Sequence, residues 1–113
     1  MSDCIFCKII DREIPSQIVY EDDDVIAFND VNPVAPVHVL IIPKKHIPTT
    51  ADLAEEDAAL IGKIFLVAKK IAEEKGLAED GYRIVNNCKY VGGQEVFHIH
   101  FHLVGGEKLG HFV

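Results

Sequence analysis

The chain has 113 residues, 49% of them hydrophobic, and a formal net charge of −7, which is typical of one globular domain spanning residues 1–113. The acidic balance excludes classes of protein that need a basic face, so we expect no binding to nucleic acid or to a membrane. No apolar run could span a bilayer and residues 1–11 lack a signal-peptide pattern, so we expect a cytoplasmic protein. Three cysteines, an odd number, favour thiols or metal ligands over a disulfide framework.

The first part of the chain predicts one short helix and three strands. Apolar residues at helical spacing in "CIFCKIIDREIP" predict a short helix that ends before Pro15. Ile18–Tyr20 and Val25–Asn29 flank a polar turn and predict a hairpin. A nearly continuous apolar run, Val37–Ile42, predicts a buried central strand that Pro43 ends.

The second part predicts one long helix and two strands. The helix covers Leu53–Glu74, with an apolar stripe at three- and four-residue steps, a capping box formed by Asp52 and Glu55, and a stop at Gly76. "GYRIVNN" and "EVFHIHFHLV" predict two further strands joined by a glycine-containing loop. Five strands and two helices without regular βαβ alternation predict an α+β fold on a mostly antiparallel sheet.

Three of the six histidines alternate with apolar residues in "VFHIHFHLVGG". In a strand, His98, His100 and His102 would share one face while the residues between them pack into the core. A half-exposed strand with polar residues outward is the structural alternative, but serine, threonine or lysine would serve it at least as well. Two chemistries suit such a cluster, namely metal binding by neutral imidazoles and nucleophilic catalysis by a central histidine. The preceding loop with Gly93 favours catalysis at phosphorus, because glycine lets the backbone approach an anion.

The pair Cys4-x-x-Cys7 is compatible with a redox motif, a metal site or coincidence. The pair does not follow a strand of a βαβ unit, which weakens the redox interpretation. Two thiolates need two more ligands to complete a tetrahedral zinc site, and histidines are available. Cys88 has no partner at such a spacing and is expected to be an isolated thiol.

The chain resembles the histidine triad superfamily over nearly its whole length. The blocks "CIFCKIIDREIPS", "VIAFNDVNPVAPVHVLIIPKKH", "GYRIVNN" and "GGQEVFHIHFHLVGG" occur in the order and spacing of that family. The most similar branch is the Hint, or histidine triad nucleotide-binding, proteins, of the bacterial type with an N-terminal CxxC. The resemblance implies a HIT-like fold whose sheet joins that of a second copy in a homodimer. It also implies hydrolysis of purine nucleoside phosphoramidates, with AMP-like or GMP-like nucleotides as ligands.

The resemblance also assigns roles to individual residues. His100 would attack the α-phosphorus and form a nucleotidyl-histidine, His102 would bind the phosphate and assist the leaving amine, and His38 would fix the tautomers of this network. Asp30 would hold the ribose hydroxyls. The other nucleotide-binding positions implied are Val31 beside the sugar, Asn86, Gly93, Gln94 and Glu95 on the phosphate side, and Ile5, Phe6, Ile9 and Phe28 around the purine. Several have structural alternatives, a turn for Asp30, a strand-end cap for Asn86 and ordinary core for the apolar four.

Some members of the wider superfamily carry a structural zinc, and the matching ligands here are Cys4, Cys7, His46 and His98. The chemistry itself would need no metal. If His98 turns toward zinc, a twist or a bulge must separate it from the face of His100.

Two features depart from Hint relatives. The tail "GGEKLGHFV" contains His111 and Phe112 but no tryptophan, which leaves the preference for the leaving amine open. Glu95 replaces a small hydroxyl residue, which puts one phosphate contact in doubt. Two alternatives remain: a dinucleoside-polyphosphate hydrolase or nucleotidyl transferase of the same superfamily, and a non-enzymatic adaptor that binds nucleotide or zinc.

Overall fold

A computed structural model, which describes residues 3–111, contains a five-stranded sheet with the strand order β1-β2-β3-β5-β4. Every neighbouring pair is antiparallel, and one helix lies on each face of the sheet, so the predicted α+β fold is confirmed. The strands are β1 Ile18–Glu21, β2 Val25–Asn29, β3 Val37–Pro43, β4 Tyr82–Val85 and β5 Phe101–Gly105. The helices are α1 Ile5–Ile10 and α2 Ala58–Glu74, and two 3-10 turns, Thr50–Asp52 and Glu55–Asp57, precede α2.

The central strand β3 supplies side chains to two separate cores. Val39 and Ile41 pack with the buried side of α2, whereas Leu40 and Ile42 pack with the buried residues of α1. This division follows from the strand geometry, since successive side chains point to opposite faces. His38 shares the parity of Leu40 and therefore belongs to the α1 face of the sheet.

The long helix begins at Ala58 rather than at Leu53, so the predicted start and its capping box are wrong. The Asp52 carboxylate accepts the Thr49 N–H at 3.1 Å and so caps the first 3-10 turn. The Asp57 carboxylate accepts the Ala54 N–H at 2.9 Å and holds the second turn. These acidic side chains bind main-chain donors in tight turns, which competes with α-helix in this segment.

The last strand is shorter than predicted, because β5 begins at Phe101 and the segment around His98 is a bend. His98 and His100 therefore precede the strand, which corrects its predicted start, but all three imidazoles still lie on the α1 side of the sheet, as expected. His98 is completely buried, and the Phe6 ring of α1 contacts both the His98 ring, with 6.0 Å between centroids, and the His100 ring, with 5.1 Å. The apolar residues between them do pack into the α2 core, as predicted; they are Ile99, Phe101 and Leu103.

No helix within residues 3–111 is long and apolar enough to cross a bilayer. Near the C-terminus, the carbonyl of Gly110 accepts a hydrogen bond from Arg83 Nη2 at 2.7 Å, which holds the tail against β4. His111 is exposed, and the expectation for Phe112 lies outside the described residues.

Candidate active site and metal cluster

His38 and His102 lie together on the α1 face of the sheet. His102 pairs with Leu40 in the β3–β5 ladder, and His38 is two residues from Leu40 on β3. Asp30 follows β2 directly, and its N–H donates to the His38 carbonyl at 2.9 Å. The antiparallel register thus brings one carboxylate and two imidazoles within 4.8 Å of one another.

Hydrogen bonds determine which nitrogens of these two rings carry protons. The Val34 N–H can only donate, so His38 Nδ1 accepts it at 3.2 Å and the His38 proton is on Nε2. That Nε2 donates to His102 Nδ1 at 2.9 Å and lies 3.4 Å from Asp30 Oδ2. The neutral His102 ring therefore carries its proton on Nε2. Burial, followed by the neighbouring His100 and His38 rings, lowers the pKa of His102 to about 4.

His100 is held in the opposite tautomer. Its Nδ1 donates to the His98 carbonyl at 2.8 Å, so Nε2 is the nitrogen with a lone pair. Burial lowers the pKa of His100, although the bond to the His98 carbonyl opposes this effect. The ring packs at right angles to Phe6, with 5.1 Å between centroids, and only 6% of the residue is exposed. A neutral imidazole with one nitrogen engaged and the other unprotonated is suited to act as a nucleophile.

A second cluster, the metal cluster, consists of Cys4, Cys7, His46 and His98. His98 Nε2 donates to the Pro43 carbonyl at 2.8 Å, which leaves Nδ1 unprotonated. This Nδ1 lies 3.1 Å from His46 Nδ1, 3.5 Å from Cys4 Sγ and 3.6 Å from Cys7 Sγ. Burial, with the His46 and His100 charges as smaller causes, lowers the pKa of His98 to about 4 and so favours the neutral, ligating form.

These distances match the edges of a tetrahedral zinc site. With Zn–N near 2.0–2.1 Å and Zn–S near 2.3 Å, a tetrahedron requires N···N of about 3.3 Å and N···S of about 3.5 Å. The observed N···N distance is 3.1 Å, and the Cys7 Sγ to His46 Nδ1 distance is 3.3 Å. The four ligand atoms that the resemblance implied thus fit a zinc ion.

The glycine loop uses many of its polar groups internally. The N–H groups of Gly93 and Gln94 both donate to main-chain carbonyls of the loop at 3.0 Å. The Gln94 side chain is buried and accepts the Lys89 N–H at 2.7 Å. At Gly92 a Cβ atom would lie 2.4 Å from the Cys88 carbonyl oxygen, so only glycine fits this close backbone approach. Hydrogen bonds within the loop therefore hold its shape and occupy the main-chain donors of Gly93 and Gln94.

The expected nucleotide-binding residues differ in exposure. Val31 is 88% exposed and, with Asp30, lines a surface cavity of about 540 Å³. Glu95 is exposed and Asn86 is half-buried. Of the four apolar residues expected around the purine, Ile5 is 46% exposed. The other three are buried in the α1 core, namely Phe6, Ile9 and Phe28.

Comparisons with known proteins assign the family. The HIT domain family model matches residues 11–109. The chain belongs to the HIT domain family. Purine nucleoside phosphoramidase of Escherichia coli (strain K12) is 58% identical to this HIT chain over 106 residues, which cover 94% of the chain and 89% of that protein. The predicted membership of the histidine triad superfamily is confirmed.

Solved structures of other HIT proteins share the fold. A HIT family hydrolase from Legionella pneumophila Philadelphia 1 has a TM-score of 0.94 at 51% identity, covering 96% of each chain. A histidine triad protein from Clostridium difficile has a TM-score of 0.96 at 50% identity, covering 100% of this chain and 98% of that chain.

Sequence reasoning missed the groups that set the protonation of the HIT histidines. Three are main-chain atoms, the Val34 N–H and the carbonyls of Pro43 and His98, and a sequence carries no signal for them. It also missed Thr50, whose hydroxyl donates to Asn86 Oδ1 and so contacts the main chain of His100 through Asn86. Thr50 directly follows Thr49, which caps the turn, and nothing in the sequence indicates that the Thr50 side chain contacts Asn86.

Proposed function

We propose that this protein is an enzyme that hydrolyses purine nucleoside phosphoramidates, of the AMP–amine type, through a nucleotidyl-histidine on His100. The observation that carries the proposal is the tautomer of His100, whose Nδ1–H is bound to the His98 carbonyl while Nε2 holds a lone pair. The 58% identity to the phosphoramidase of Escherichia coli supports the same reaction. The lowered pKa of His100 supports it as well, because the ring stays neutral and nucleophilic at neutral pH.

The reaction proceeds in two displacements. His100 Nε2 attacks the α-phosphorus, the P–N bond breaks, and the leaving amine nitrogen takes up one proton from solvent. Water then attacks the same phosphorus, the bond to His100 breaks, the nucleoside monophosphate is released, and one proton from the water returns to solvent. His102 donates its Nε2–H toward the phosphate and the leaving amine, and His38 holds His102 in that tautomer. Because the His102 ring is neutral, this contact is a hydrogen bond that stabilises the developing charge, and the ring itself gives up no proton.

The nucleotide lies along the α1 face. Asp30 and Val31 line the same surface cavity. The Asp30 carboxylate accepts hydrogen bonds from the ribose hydroxyls, and the exposed Val31 lies alongside the sugar. Ile5 presents its apolar side chain to the purine. The remaining contacts, implied by the resemblance, come from Phe6, Ile9 and Phe28 around the base and from Asn86, Gly93, Gln94 and Glu95 near the phosphate.

The metal cluster holds a structural zinc ion bound by two thiolates and two imidazoles. The distances among Cys4, Cys7, His46 and His98 support this assignment. The zinc ties the start of α1 to the segments that follow β3 and precede β5. Its contribution is to the stability of the fold, and no step of the reaction needs a metal.

The protein acts as a cytoplasmic homodimer whose two sheets join through β4. This strand is an edge of the sheet with its outer main-chain groups available for pairing. Nearby apolar side chains are exposed, with Phe65 at 46%, Leu66 at 68% and Tyr82 at 38%. A reducing compartment suits the thiolate ligands, and the net charge of −7 disfavours nucleic acid and anionic membranes as partners.

Incubation with an adenosine phosphoramidate, followed by acid-free quenching and mass spectrometry, tests the function. We expect AMP as product and a nucleotidyl adduct on His100, with neither formed by His100→Ala although that variant still binds AMP. Turnover of a dinucleoside polyphosphate without turnover of the phosphoramidate would favour the nucleotidyl transferase alternative. Absence of turnover of both substrates by the wild type would favour the adaptor.

A further inference from the structure

The side chain of Asn86 holds the main chain of His100. Asn86 follows the last residue of β4, where the main-chain ladder between β4 and β5 has ended at the pair Val85–His102. Its Nδ2 donates to the His100 carbonyl at 2.9 Å. The amide therefore continues the ladder by one hydrogen bond and secures the residue just before β5.

Hydrogen-bond partners at both ends of the Asn86 side-chain amide determine its orientation. The His100 carbonyl can only accept, so the nitrogen of the amide faces it and Asn86 Oδ1 faces Thr50. The Thr50 hydroxyl donates to that oxygen. Thr50 is exposed, but its backbone is part of a 3-10 turn capped by Thr49 and Asp52, which holds the Thr50 side chain next to Asn86.

We propose that Thr50 and Asn86 are positioning residues for His100, an inference that rests on the proposed function. The ring of His100 is held by the His98 carbonyl and by Phe6, and its main chain is held by Asn86. Removal of the Thr50 donor frees the amide to rotate, so the carbonyl of His100 loses its partner. A small displacement of a nucleophile reduces the rate of attack without weakening ligand binding.

The test compares Thr50→Val, which keeps the shape and removes the hydroxyl, with Thr50→Ser, which keeps the hydroxyl. We expect Thr50→Val to form the nucleotidyl-histidine about 5- to 10-fold more slowly in single turnovers at saturating substrate, the effect of one lost hydrogen bond. The Kd for AMP should stay within about twofold, and Thr50→Ser should retain the wild-type rate. An unchanged rate in Thr50→Val, or a weaker Kd for AMP with an unchanged rate, would overturn the proposal, and the second result would leave Asn86 with its proposed phosphate contact alone.

A measurement that needs no turnover separates this proposal from the proposed function. In the wild type, NMR should show slowed hydrogen exchange of the Asn86 side-chain amide and a His100 ring with its proton on Nδ1. We expect Thr50→Val to lose the protection of that amide and to shift the His100 ring signals, with an unchanged Tm. If both sets of signals match the wild type, the positioning role is wrong whether or not the protein hydrolyses phosphoramidates.

Discussion

Replacement of Cys4 by serine should remove the zinc while leaving the fold otherwise intact. Cys4 Sγ accepts the Cys7 N–H at 3.3 Å and so caps α1, and a serine hydroxyl can take over that hydrogen bond. The substitution therefore isolates the metal contribution. The cluster joins parts of the chain that are far apart in sequence, since Cys4 and His98 are 94 positions apart and Cys7 and His46 are 39 positions apart. We expect its loss to destabilise the attachment of α1 to the sheet.

The magnitude follows from ligand linkage. Zinc present at 100 times its Kd adds about 2.7 kcal/mol to the free energy of unfolding, which corresponds to about 10 °C in Tm for a chain of this size. Metal analysis should give one zinc per chain for the wild type and none for Cys4→Ser. Cys88→Ser is the matched control, because Cys88 is outside the cluster and should keep both zinc and Tm. Full zinc content in Cys4→Ser, or equal losses in both variants, would refute the assignment.

Three further predictions concern stability and pH. Burial alone would raise the pKa of Asp22, but hydrogen bonds from Tyr20, two main-chain N–H groups and Lys63 lower it well below its usual value. Asp22→Asn should therefore lose about 1–3 kcal/mol at pH 7 in urea unfolding, and this loss should shrink as the pH falls below about 4; a constant difference would contradict the linkage. Leu103 is completely buried, so Leu103→Ala should cost about 2–5 kcal/mol in the same assay, and a cost under about 1 kcal/mol would contradict its place in the core. Because burial lowers the pKa of both His100 and His102 in the free protein, that of His102 to about 4, kcat/KM should show no acid limb between about pH 6 and 8, and a limb centred near 6.5 would contradict these lowered values.

The strands and the family could be predicted because their signals are local. The limits of β2 agree with the prediction, and β3 differs only by including Pro43. The four ligand atoms of the metal cluster also meet, as the resemblance implied. The start of α2 could not be predicted, since Asp52 and Asp57 fit both a helix cap and a tight turn. Whether these residues cap a helix or hold a tight turn depends on how the segment before α2 packs against the rest of the protein.

The sequence by itself determined the alternation of apolar and polar residues, and this alternation decided which face of each strand is buried. It also determined that imidazoles and thiols were present in numbers sufficient for both a nucleophile and a metal site. Only the tertiary structure decided how these groups are divided. His98 and His100 pack against the same Phe6 ring, but His98 Nδ1 lies beside the Cys4 and Cys7 thiols, whereas His100 Nδ1 donates to the His98 carbonyl.

The protonation of the rings was likewise decided by the tertiary structure. A histidine can place its proton on either nitrogen, and the choice depends on the hydrogen-bond partner that reaches it. The partner of His98 is the carbonyl of Pro43, which is 55 positions away in sequence, and the partner of His38 is the Val34 N–H in the loop just before β3. Main-chain groups are the same at every residue type, so only their positions in space distinguish a nucleophilic nitrogen from one that donates.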